Sequence, residues 1–104
     1  MATEVTIEQL KQARAAGAVV IDVREPDEFA DGHVTGAQSL PLSQLPARAQ
    51  EVSKDETVYL VCQSGGRSGQ AADLLTAAGH DVCSVAGGTT AWIESGGDIE
   101  SGRG

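Results

Sequence analysis

VYLVCQSGGRSGQAADLL, residues 58–75, decides the fold. Together with Thr57, its first residues make a β-branched and aromatic run, 57–62, with no polar alternation. That is the pattern of a strand buried on both faces. The run stops at Cys62, and Gln63, Ser64, Gly65, Gly66 and Arg67 follow. From Ser68 onward Ala71, Leu74, Leu75 and Ala78 recur at helical spacing, so the sequence predicts a helix over 68–79 with Gly79 as its stop. A strand feeding a helix through a short loop is one unit of a parallel sheet, and in such sheets ligands bind beyond the carboxyl ends of the strands. Cys62 falls at such an end.

The rest of the chain repeats the alternation. Thr6 and Gln9 form a capping-box pattern ahead of a helix at 7–16, which Gly17 closes. AVVIDVR, 18–24, reads as a second buried strand. Pro26 suits the first position of one or two helical turns ending at Gly32. An extended piece is expected at 37–41, and a helix at 44–52 with Ser43 as its cap. A strand at 81–88 ends in Gly87 and Gly88, a short helix follows at 89–97, and 98–104 reads as a loose tail. The fold class expected is α/β: a parallel β-sheet with right-handed crossovers and helices on both faces.

A chain of 104 residues accommodates one domain with a single core. Its 15 Asp and Glu against 7 Lys and Arg give a formal net charge of −8. That field repels nucleic acid and anionic membrane surfaces, so neither is an expected partner. No apolar run approaches the roughly 20 residues that cross a bilayer. MATEVTIEQL lacks the pattern of a secretory signal, which points to a cytoplasmic location. The two cysteines, Cys62 and Cys83, form no Cys-x-x-Cys pair and no Cys/His cluster, so neither a disulfide scaffold nor a metal site is expected.

The loop after Cys62 has the parts of an anion cradle. A helix N-terminus offers unpaired N–H groups and a positive dipole end, and glycines let a tight loop turn those groups inward. Arg67 adds a permanent charge. Such surroundings lower a cysteine pKa from about 8.5 and make the thiolate a nucleophile. An inert buried cysteine beside an ordinary turn is the bland alternative. The Gly-Gly-Arg that follows weighs against it.

CQSGGRS, 62–68, resembles the active-site loop of rhodanese-like sulfurtransferases. The resemblance extends over about residues 4–99, through Asp22, Arg24, the Glu28-Phe29 pair, GHV at 32–34, Gly36-Ala37, the double glycine at 87–88 and Trp92. It implies a rhodanese domain at 4–99 with 100–104 as a flexible tail. It also implies Cys62 as the catalytic nucleophile, with Gln63, Ser64, Gly65, Gly66, Arg67 and Ser68 forming the substrate-binding loop. Sulfane sulfur would pass from thiosulfate or a persulfide, through a Cys62 persulfide, to cyanide, a thiol or a sulfur-accepting protein. No metal or organic cofactor is implied. With Arg67 as the loop's one charge on an acidic chain, modest thiosulfate activity is expected, with a persulfide or a protein as the working donor.

Other functions fit part of this pattern. Cell-cycle dual-specificity phosphatases resemble the same fold but use a Cys-x5-Arg loop, usually preceded by His. Here four residues separate Cys62 from Arg67, and Val61 precedes the cysteine. The shorter loop suits one sulfur atom rather than a phosphoryl group, and it holds no Asp to protonate a leaving alkoxide. That argues against phosphatase or arsenate reductase chemistry. A non-enzymatic persulfide carrier or binding module is the remaining alternative. Asp22 and Arg24 are expected to fix a turn by an ion pair or hydrogen bonds, with a place near the pocket mouth as the second reading. His33 is expected to pack within its turn rather than act as a base, His80 to face a helix C-terminus, and Cys83 to be an inert core thiol. Phe29 and Trp92 are read as core anchors.

Overall fold

The computed structural model describes residues 3–102. Five strands, β1 (Thr3–Val5), β2 (Val19–Asp22), β4 (Gln38–Ser39), β5 (Val58–Val61) and β6 (Val82–Val85), build one sheet in the order β1-β6-β5-β2-β4. Every pairing in it is parallel. The architecture is the α/β one expected, with helices on both faces.

Strand periodicity divides the core. Val58, Leu60 and Cys62 face a layer made by α3 (Leu45–Arg48) and α4 (Gly66–Ala77), where Leu45, Ala71, Ala72 and Leu75 are buried. Val61 and the partly buried Tyr59 face the opposite layer, built from α1 (Ile7–Ala15), α2 (Pro26–Asp31) and α5 (Gly88–Glu94) through Leu10, Phe29 and Trp92. The capping box of α1 is complete: Thr6 accepts from the Gln9 N–H, and Gln9 accepts from the Thr6 N–H.

Three local expectations need correction. The segment 44–52 is not one helix capped by Ser43. It runs as a 3-10 turn at Leu42–Gln44, the single turn α3, and another 3-10 turn at Ala49–Glu51. Pro46 has no N–H to donate back to Leu42, so the chain closes there by the shorter Leu45 N–H to Leu42 carbonyl bond. The Ser43 hydroxyl donates instead to Glu25 at 3.2 Å. Helix α4 starts at Gly66 rather than at 68, which puts Gly66 and Arg67 in its first turn. The expected loose tail at 98–104 is ordered in part: β7 (Ile99–Glu100) pairs antiparallel with β3 (His33–Val34). Residues 103–104 lie outside the described residues. Strand β1 was not read from the sequence at all, because only Val5 of its three residues is buried.

Candidate active site

Strand β5 ends at Val61 and delivers Cys62 to the carboxyl edge of the sheet. The start of α5 fixes the backbone there: the Thr89 N–H donates to the Cys62 carbonyl at 2.8 Å, and the Thr90 N–H to that of Gln63 at 3.1 Å. This approach explains the second glycine of the 87–88 pair. Gly88 has φ +54, and a Cβ on it would overlap the Cys62 carbonyl oxygen and the Gln63 backbone.

The chain then turns back over the cysteine. Gly65 caps α4 with φ +118, and its N–H donates to the Cys62 sulfur at 3.0 Å. The Cys62 thiol meets the Ser68 hydroxyl at 3.5 Å. Burial alone would push the Cys62 pKa up. The Ser68 hydroxyl, together with the N–H groups of Ser68, Gly65 and Ser64, outweighs it and holds the thiol below its ordinary value. Cys62 is only 1% exposed, so its sulfur lies on the floor of the loop.

Both cations beside the loop are matched by carboxylates. Arg67 is gripped by Glu28 of α2 through two bonds, 2.6 and 2.8 Å long. That hydrogen-bonded pairing pulls the Glu28 carboxyl down to about 2. Arg67 is therefore not a free charge at the lip. Arg24 chelates the buried Asp22 carboxylate, with the shortest contact 2.8 Å, and also donates to the Gly32 carbonyl and to Gln63 Oε1. Gln63 completes the link by donating to Thr90 at 2.7 Å. The Asp22–Arg24 pair thus reaches the first loop residue through Arg24.

The profile of the rhodanese-like domain matches residues 6–95. The chain belongs to the rhodanese-like family. A sulfurtransferase of Allochromatium vinosum is 36% identical over 99 residues, covering 92% of each chain. The thiosulfate sulfurtransferase GlpE of Pseudomonas putida is 38% identical over 84 residues, 80% of this chain and 76% of that one. The uncharacterized protein YqhL of Bacillus subtilis is 47% identical over 76 residues, which span 72% of this chain and 60% of YqhL. Among solved structures, a rhodanese-related protein from Thermoplasma volcanium superposes with a TM-score of 0.89 at 28% identity, covering 94% of this chain and 97% of that one. These relatives place the chain in a sulfurtransferase family.

Within this rhodanese-like site the remaining expected residues divide. Ser64, Gly65 and Ser68 surround the sulfur, whereas Gln63 and Arg67 point their side chains at Arg24, Thr90 and Glu28. His33 is buried against Phe29, with the rings 3.6 Å apart, and its Nε2 meets Glu100 at 3.3 Å. His80 lies beyond α4, its Nδ1 3.4 Å from the Ser53 carbonyl. Cys83 pairs in register with Tyr59, three residues short of Cys62, and packs in the opposite layer. That is about 10 Å along the strand, too far for a disulfide. Burial raises the Cys83 pKa. Among the described residues no group of His, Cys, Asp and Glu could hold a metal ion.

Three features were not read from the sequence. Glu28 stands in the sequence motif with nothing local to mark Arg67 as its partner. Ser84 of β6 stands 2.8 Å from Ser68 Oγ, and a polar residue inside the buried run Val-Cys-Ser-Val was its signal. A groove of about 240 Å³ beside Gln63 is lined by Arg24, Glu28, Thr89, Ile93 and Ile99. Ile93 and Ile99 are the two exposed large apolar side chains among the described residues.

Proposed function

We propose that this chain moves sulfane sulfur through a persulfide on Cys62. The observation that carries the proposal is the Gly65 N–H 3.0 Å from the Cys62 sulfur at a sheet edge, backed by the Ser68 hydroxyl. The thiolate attacks the outer sulfur of the donor. A sulfur–sulfur bond forms to Cys62 as the donor's own breaks, and the departing group leaves with the electron pair, as sulfite from thiosulfate or as a thiolate from a persulfide. An acceptor nucleophile then takes the outer sulfur, and the pair returns to Cys62. Two half-reactions through a covalent intermediate give ping-pong kinetics. The loop's N–H groups stabilise the negative charge in both halves.

The paired state of Arg67 favours a persulfide donor over thiosulfate. A dianion gains little from a guanidinium already chelated by Glu28. The groove at Ile93 and Ile99 offers an apolar wall for the rest of a larger donor or acceptor. Incubation with thiosulfate or a small persulfide should add one sulfur to the intact mass, removable by cyanide, and none in Cys62→Ser. An adduct that persists in the mutant, or the absence of one with either donor, overturns the proposal. Turnover of p-nitrophenyl phosphate or arsenate in the same samples would favour the rival chemistries instead.

A further inference from the structure

Ser84 is a buried hydroxyl on a strand that is otherwise apolar apart from Cys83, and sulfur transfer as described makes no use of it. A hydroxyl buried without a partner costs about 1–3 kcal/mol. Its position follows from strand period. Ser84 pairs in register with Leu60 and points, like Val82, toward the α4 layer, one strand over from Cys62. There it meets Ser68 Oγ at 2.8 Å, and both serines are buried.

We infer that Ser84 is a positioning residue whose hydroxyl holds Ser68 ready to donate to the Cys62 sulfur whenever that sulfur carries charge. Donor accounting gives the reason. Ser68 has one proton and three neighbours: the Gly65 carbonyl at 3.1 Å, Ser84 Oγ at 2.8 Å and Cys62 Sγ at 3.5 Å. With Cys62 as a thiol, all groups are satisfied when Ser68 donates to Gly65 and its oxygen accepts from Ser84 and from the thiol. When the thiol loses its proton, Ser68 turns its own O–H onto the sulfur. Ser84 then remains as the donor behind the Ser68 oxygen, so the oxygen is not left bare and its O–H stays polarised. If Ser84 instead accepted from Ser68, no proton would remain for the sulfur.

The consequence for sulfur transfer rests on the persulfide reading above. As the acceptor thiolate attacks the outer sulfur, the sulfur–sulfur bond breaks and the electron pair returns to Cys62 Sγ, where the Ser68 O–H meets it. A leaving thiol of lower pKa departs faster. Ser84 therefore acts mainly on discharge of the persulfide. The charged pairs facing the loop, Arg67 with Glu28 of α2 and Arg24 with Asp22 of β2, are left intact by changes at position 84.

The test titrates Cys62 by its thiolate ultraviolet absorbance in the wild type, Ser84→Ala and Ser84→Thr, with Cys62→Ser as the blank that removes Cys83 and Tyr59. Loading by thiosulfate or by a small persulfide, and discharge to a small thiol, are timed separately in single turnovers. In Ser84→Ala the midpoint should rise by about half to one pH unit, and discharge should slow about two- to three-fold more than loading. Ser84→Thr, which keeps the hydroxyl, should restore both. A midpoint that stays put in Ser84→Ala, or that moves as far in Ser84→Thr, overturns the inference. If no persulfide forms in any variant, the sulfur-transfer reading fails, while the midpoint still decides the role of Ser84.

Discussion

Gly65 and Gly66 are neighbours with opposite requirements. Gly65 holds φ +118 and donates its N–H to Cys62 Sγ, while a Cβ on Gly66 would meet nothing within 4 Å. A side chain at position 65 must occupy a backbone region that costs roughly 1–3 kcal/mol. At position 66, in the first turn of α4, alanine carries no such penalty and has the better helix propensity. Gly65→Ala should therefore lower the unfolding free energy by about 1–3 kcal/mol, and Gly66→Ala should change it by no more than about 0.5 kcal/mol. Urea denaturation of the two variants decides it, and equal losses would contradict the assignment. The sequence treats the pair alike, since both residues merely permit a tight loop. Which glycine bears the strain depends on where α4 starts, and glycine at both positions hides that boundary. Ser84 leaves a local signal, a polar residue in a buried strand, but its partner Ser68 sits on α4, and that contact depends on how the helix docks against the sheet.

Between elements, the decisive contact ties α2 to α4. Glu28 and Arg67 are 39 positions apart, and no local pattern announces them. Short-range signals were legible: the capping box at Thr6, the apolar runs of β2, β5 and β6, and the Pro26 start of α2. The two-residue pairing of β3 with β7 was not, because two residues carry no period. The Glu28–Arg67 pair has consequences for charge in two ways. The Glu28 carboxyl ionises at about 2 in the folded protein, against an ordinary 4.5. Between those values the unfolded chain binds the proton and the folded chain does not, so stability falls as pH drops through that window. Both side chains are 36% exposed, so screening limits the loss to about 1 kcal/mol. Glu28→Gln should flatten this part of the acid profile, measured by urea midpoints from neutral pH downward. It also frees the Arg67 charge beside the loop. Thiosulfate loading should then show a several-fold lower KM in Glu28→Gln than in the wild type. An unchanged KM would mean that the guanidinium is out of the donor's reach whether paired or not.

Across the whole molecule, the formal charge of −8 is carried on a body with a radius of gyration of 12.1 Å. The screening length is about 30 Å at 0.01 M salt and about 10 Å at 0.1 M. At low salt the site therefore feels the entire acidic surface, and at moderate salt mainly its own neighbourhood. With Arg67 and Arg24 both matched by carboxylates, nothing described beside the loop reverses the sign of that field locally. A dianionic donor is repelled, and screening relieves the repulsion. Thiosulfate loading of Cys62 should thus accelerate several-fold as salt rises from 0.01 to 0.1 M, whereas loading by a neutral sulfane donor should stay nearly flat. Stopped-flow loading rates across the salt series provide the comparison. The opposite slope, with thiosulfate slowed by salt, would mean that a local positive charge governs approach. Arg67 released from Glu28 would be its source, so the slope in Glu28→Gln should already run that way.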